Sequence, residues 1–169
     1  MTGREDVRNV RYVTKTRNRK LDALSRVAAF SHCHHDELSV LAGSADECLL
    51  PAGHVLMEEG EVGTEAFVVL DGVAEVSMGG RIVATVGPGE TVGEMALIDQ
   101  RPRTATVTAV TPLRVLVVGR RHAAALLDQP GVARGLLEIL SGRLRKAESG
   151  SGDGVRPAEL SEKVSLPLG

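Results

Sequence analysis

A mainly β domain with flanking α-helices is what this sequence predicts, built as an antiparallel jelly-roll barrel of about eight short strands. Three observations carry that expectation. From Ala45 to Val118 the chain breaks into short apolar or alternating runs at regular spacing. Glycine-bearing turns punctuate the runs at Pro51-Ala52-Gly53, Asp71-Gly72, Gly79-Gly80 and Gly87-Pro88-Gly89. Apolar residues at helical spacing lie on either side of this region, before Gly43 and after Gly119.

At 169 residues there is room for one domain with its own core. The composition is that of a globular protein, 43% hydrophobic with a net charge of −2. Two Phe, one Tyr and no Trp leave no aromatic platform on which nucleic-acid bases could stack. No apolar run approaches the ~20 residues of a membrane span. The N-terminus carries no apolar leader segment, so a cytoplasmic protein is expected. Cys33 and Cys48 are too few for a disulfide framework or a four-thiolate cluster. Both are read as small hydrophobes.

Residues 1–20 form a basic arm in which Arg4, Arg8, Arg11, Lys15, Arg17, Arg19 and Lys20 face only Glu5 and Asp6. Its low apolar content predicts a solvated, disordered tail. As an interaction arm it would suit nucleic acid, anionic lipid or an acidic partner. Residues 21–147 are read as the folded domain. Leu21, Leu24, Val27 and Ala28 predict a helix over Leu21–Phe30, after which Ser31 can cap the next turn. A second helix covers Asp36–Ala42, with acidic residues at its positive end and Gly43 as its stop. Between them, His32-Cys33-His34-His35 invites a metal reading. Ligands this close in sequence cannot all face one ion, and His54 and His122 stand alone, so a polar loop is expected and no metal.

The strands follow. Glu47–Leu50, His54–Met57 and Ala66–Leu70 come first; Asp71-Gly72 then signals a hairpin into Val73–Met78. Gly79-Gly80 signals a second hairpin into Arg81–Val86, and Ala105–Val110 and Leu113–Val118 complete the set. Arg120–Leu127 reads as a helix, and Pro130 starts another whose apolar stripe is Val132, Leu136, Ile139 and Leu140. Residues 148–169 are expected to be a flexible tail, opening with a Ser/Gly-rich linker at 148–154. No helix-turn-helix, kinase, cyclase or transferase motif is visible.

The stretch from Gly87 to Ala109 carries the chemistry. A glycine-broken turn leads to Gly93-Glu94-Met95-Ala96-Leu97, a loop follows, and Arg103-Thr104-Ala105-Thr106-Val107 opens a strand. Unpaired N–H groups at the turn and the helix start would favour an anion. Gly93 lets the backbone approach a ligand, and Arg103 offers a positive fork suited to phosphate. Glu94 cannot sit comfortably beside a phosphate, so it would accept bonds from hydroxyls or pair with an arginine. Arg101 is the competing cation, placed by alternation on the same side of an extended segment. Such parts suit a small ligand with one phosphate and one sugar hydroxyl.

This stretch resembles the phosphate-binding cassette of cyclic nucleotide-binding domains, whose pattern is a Gly-Glu pair, a short apolar helix, a loop, and Arg before a small residue, Ala and a strand. The resemblance extends over roughly residues 24–146 through Gly53, Gly60-Glu61 and Phe67-Val68-Val69-Leu70-Asp71-Gly72. It implies a cyclic AMP or cyclic GMP sensor that is not an enzyme and needs no cofactor. Gly93, Glu94, Met95, Ala96, Arg103, Thr104 and Ala105 would bind the ligand. By resemblance Arg103 grips the cyclic phosphate and Glu94 accepts the ribose 2′-hydroxyl. Thr104 permits cyclic GMP without excluding cyclic AMP. The helices after Gly119 correspond to the family's mobile B and C helices, although residues 121–146 name no contact to the base. Val92 stands where an aromatic is common and should loosen the packing beneath the cassette.

With no output domain in view, the signal would leave through a protein partner, a homodimer seam or the basic arm. Two rival functions are a ligand-independent interaction module of the same fold and a nucleic-acid-binding regulator acting through residues 4–20.

Overall fold

The structure is a computed structural model that describes residues 11–12 and 17–150. Its described elements, in order, begin with β1 (Arg11–Tyr12), α1 (Arg17–Ser25), a 3₁₀ turn at Ala28–Phe30 and α2 (His35–Ser44). Then come β2 (Ala45–Leu50), β3 (Val55–Met57), β4 (Glu65–Asp71), β5 (Ala74–Met78), β6 (Arg81–Val86) and β7 (Thr91–Val92). The chain continues through α3 (Met95–Ile98), β8 (Thr106–Ala109), β9 (Leu113–Gly119), a 3₁₀ turn at Arg120–His122, α4 (Ala123–Leu127) and α5 (Pro130–Gly150).

The strands make two antiparallel sheets, ordered β1-β2-β9-β4-β7 and β3-β8-β5-β6. Strand alternation explains how the sheets stack. Phe67 and Val69 of β4, with Leu113 and Val115 of β9, meet Val86, Val107 and Ala109 of the other sheet in one buried cluster. Their neighbours Val68, Leu116 and Val118 point the other way. They pack against Leu24, Phe30, Leu38, Leu41, Leu126 and Val132 from the helices. Both faces of β4 and β9 are therefore covered, and this is why they read as near-continuous apolar runs. β6 is an edge strand with five of its six residues exposed. The eight strands from β2 to β9 form the expected jelly-roll architecture, with helices before and after it.

Several elements differ from the sequence expectation, each for a physical reason. Asp71-Gly72 does not close a hairpin. It carries the chain from one sheet to the other, and Val73 N–H is held by Thr111 Oγ1 at 2.9 Å. Gly79-Gly80 is a true hairpin turn, with Met78 paired to Arg81 and both glycines at positive φ. The first helix starts earlier and stops sooner than Leu21–Phe30, because Arg26 N–H and Val27 N–H take i−3 carbonyls. The N-cap of α2 is His34 rather than Ser31; its backbone N–H donates to Glu37 Oε2 at 2.7 Å. That helix runs through Gly43 to Ser44 and passes directly into β2.

The boundaries of the domain also shift. Arg17–Lys20 belong to α1, where Arg17 donates to the Ser39 carbonyl at 3.3 Å. Arg11–Tyr12 pair with Leu49 and Cys48 of β2. The rest of the basic arm, 1–10 and 13–16, lies outside the described residues, as do residues 151–169 of the expected tail. Glu148–Gly150 are helical, the last residues of α5. The chain divides into two compact units, residues 1–136 and residues 137–169. The first holds both sheets, α1–α4 and the opening of α5; in the second, residues 137–150 continue that helix.

The opening of α5 is packed very closely. Gly131 N–H donates to Glu37 Oε1 at 2.8 Å in a buried bond. A Cβ on Gly131 would stand 2.6 Å from the His32 carbonyl, and one on Gly135 would overlap the Ala29 carbonyl. Glu37 thus accepts backbone bonds from two helix starts. These bonds, first from Gly131 and then from His34, hold its carboxyl below the ordinary 4.5. Burial pushes the Cys33 and Cys48 thiols up to about 11, so both are neutral thiols packed as small side chains.

Candidate functional site

The turn before the cassette is fixed on β4. Gly89 N–H donates to the Val69 carbonyl and Val69 N–H to the Glu90 carbonyl, at 2.8 and 2.9 Å. Glu90 also closes its own turn by accepting Gly87 N–H at 2.7 Å. β7 then pairs Thr91 with Val68 and Val92 with Phe67. At Gly93 the backbone reverses with φ +76°, a conformation that L side chains rarely adopt. Glu94 follows as the N-cap residue of α3.

Helix α3 is one turn of four residues. Ala96 N–H donates to the Gly93 carbonyl and Leu97 N–H to the Glu94 carbonyl, at 3.2 and 3.1 Å. Those two amides are spent within the turn, so the helix start offers a ligand fewer N–H groups than the sequence suggested. Asp99 N–H closes the turn on the Met95 carbonyl at 2.8 Å.

Arg103 comes back beside this turn from the far end of the cassette. Its backbone is locked to the loop before β4: Arg103 N–H donates to the Glu61 carbonyl at 2.7 Å, and Gly60 N–H donates to the Arg103 carbonyl at 2.8 Å. Its side chain lies inward, and the residue is only 9% exposed. Nη1 donates to the Gly93 carbonyl at 3.1 Å and Nη2 to the Glu65 carbonyl at 2.7 Å. Burial pulls this guanidinium below its ordinary pKa, while the Glu65 and Glu94 carboxylates favour its charged form.

The sequence-predicted residues separate into two groups. Glu94 is 2% exposed, and Ala96, Arg103 and Ala105 are buried with it. Gly93 is half-buried and Thr104 is exposed. Met95 is 46% exposed. Leu97 is the residue of α3 that packs on the helical core. Arg101 does not share a side with Arg103: its side chain is 85% exposed and reaches Asp99 at 3.8 Å. Burial therefore decides between the two cations. Beneath α3 lies an apolar void of about 40 Å³, lined by Leu97, Phe30, Val68, Leu126 and Val132 among others. Val92 is buried within the β4–β7 pairing.

The family model described as the cyclic nucleotide-binding domain matches residues 47–130, which contain Gly93, Glu94, Arg103 and the loop that holds Arg103. The chain belongs to the cyclic nucleotide-binding domain family. Its relatives include the CRP-like cAMP-activated global transcriptional regulator of Mycobacterium tuberculosis, 25% identical over 138 residues, which are 78% of this chain and 62% of that protein. The cyclic AMP receptor protein of Thermus thermophilus is 35% identical over 106 residues, 59% of this chain and 49% of that protein. The chain thus spans about half the length of the curated relatives it matches. Among solved structures, a cyclic nucleotide-binding domain from Methylobacillus flagellatus has the same fold, with a TM-score of 0.72 at 24% identity, covering 85% of this chain and 88% of that one.

Two residues of the site carried no signal in the motif. Glu65 contributes a backbone carbonyl, which any residue type would supply. Gly63 sits where a Cβ would overlap the Arg103 guanidinium. The sequence shows Gly63 as one more loop glycine, and only the fold brings it to Arg103. His32 and His34 precede α2 and His35 opens it, and no group of three potential metal ligands occurs among the described residues.

Proposed function

We propose that this chain is a sensor that binds cyclic AMP or cyclic GMP at its cassette without turning the ligand over. The observation that carries the reading is the burial of Arg103 beside Glu94, with the guanidinium held by two backbone carbonyls. A buried guanidinium has five donors, and two of them go to Gly93 and Glu65. An anionic ligand would supply acceptors to the others, and a cyclic phosphate has the charge and the oxygens to do so. Glu94 would accept the ribose 2′-hydroxyl. Gly93, Met95, Ala96 and Ala105 would shape the pocket through their backbone. The exposed Thr104 hydroxyl would meet the purine edge of cyclic GMP or a phosphate oxygen.

Ligand would shift the cassette and the helices after Gly119 between two arrangements. It can do so only by its difference in affinity for the two. The void beneath α3 supports this part of the reading, because Leu97 has room to move against Leu126 and Val132. A protein partner or a second copy of the chain would receive the signal.

Calorimetric titration with cyclic AMP and cyclic GMP tests the proposal. Binding that Arg103→Ala weakens by about 100-fold or more is the expected result. No heat with either nucleotide, and no change in melting temperature, would overturn it and leave the ligand-independent interaction module as the better account. Thr104→Ala should weaken cyclic GMP more than cyclic AMP; equal weakening would remove Thr104 from the choice of base.

A further inference from the structure

We propose that Gly63 is a positioning residue for Arg103, keeping open the slot in which the guanidinium lies. The inference rests on the cyclic nucleotide reading for its binding arm, and on geometry alone for its spectroscopic arm. Arg103 lies between two glycines. A Cβ built on Gly93 would stand 2.6 Å from Nη1. One built on Gly63 would overlap Nε and Cζ and come within 2.6 Å of Nη2. The two glycines do different work. Gly93 is at φ +76° and is needed for the chain reversal as well as for space. Gly63 has no positive φ, so a left-handed backbone is not what calls for glycine there. What a side chain at position 63 would take is the space of the guanidinium itself.

The neighbouring bonds make that space matter. Arg103 cannot step aside by moving its backbone, because its N–H and carbonyl are both tied to the Gly60–Glu61 turn of the loop before β4. Val62 and Pro102 pair beside it as an isolated antiparallel bridge. The side chain alone must yield. If it swings out, it gives up both the Gly93 and the Glu65 carbonyls. The loop of residues 58–63 therefore fixes Arg103 twice, by holding its backbone and by leaving a gap of guanidinium width where a methyl group would stand. Loss of that placement costs charged hydrogen bonds, each a substantial interaction.

The test uses the full chain as wild type, Gly63→Ala, Arg103→Ala and the double variant, titrated with cyclic AMP and cyclic GMP. Gly63→Ala should lower affinity by about tenfold or more, with little further effect once Arg103 is already alanine. Unchanged or higher affinity in the single variant overturns the inference. So does an equal loss in the Arg103→Ala background, since Gly63 would then act on the fold and not through Arg103. Failure of wild type to bind either nucleotide counts against the proposed function, and the ligand-free spectrum then decides the positioning role. In that spectrum the Arg103 Nε–H resonance, assigned by its loss in Arg103→Ala, should show a through-space contact to the Gly63 α-protons. This needs no folded variant of Gly63, and absence of the contact overturns the inference.

Discussion

Arg101 and Arg103 are two residues apart and carry the same side chain, yet the fold treats them as opposites. Arg101 lies in the exposed middle of the cassette, and its side chain reaches the Asp99 carboxylate at a long 3.8 Å. Arg103 lies at the cassette's end, buried, with both ends of its guanidinium on backbone carbonyls. Ion pairs of the first kind contribute little in water, since solvent screens them and both side chains lose freedom. A buried cation held in one geometry is a different object, because its desolvation must be offset by every partner around it. The difference teaches that position relative to the loop of residues 58–63, and not charge, separates a buried arginine from a solvated one.

Four variants would break or sharpen that contrast. Arg103→Ala should have the largest effect, lowering cyclic nucleotide affinity about 100-fold or more, the scale seen when one partner of a buried charged pair is removed. A loss under fivefold would erase the distinction between the two arginines. Glu94→Gln should cost about tenfold, because the amide keeps one acceptor oxygen and loses the charge; titration against the same ligands measures it. Glu37→Gln tests a buried carboxylate committed to structure instead. Its folded pKa is depressed, so its contribution is present above the unfolded value near 4.5 and is lost as pH falls through the lower, folded value. Melting temperatures recorded from pH 6 downward, a range set by that ordinary value, should fall less steeply in Glu37→Gln than in wild type; parallel curves would refute the assignment. Arg101→Ala comes last, with affinity expected within about twofold of wild type.

Much of the cassette was legible because its signal is contiguous. Gly93, Glu94 and Arg103 stand in one ordered pattern, and residue types there report chemistry directly. The slot around Arg103 was not legible. Glu65 acts through a carbonyl 38 residues away, and a carbonyl has no signature in the residue name. The same limit applies to turns. Asp71-Gly72 and Gly79-Gly80 both announce a change of direction, but only the pairing of distant strands decides whether the chain returns to its own sheet or crosses to the other. The apolar runs of β4 and β9 marked strands without revealing that helices cover one face and the second sheet the other. Local composition also misled at Glu148–Gly150, where a Ser/Gly-rich segment continues a long helix because propagation is easier than nucleation.

The bond from Gly131 to Glu37 joins residues 94 apart in sequence, and it is buried. A proton in that bond reaches solvent only when the start of α5 parts from α2. Its replacement by deuterium therefore runs as a clock on that separation, slow if the two helices part only in global unfolding and fast if they part as a local event. One amide, followed over hours in deuterated buffer, would time the opening of this seam with no label attached.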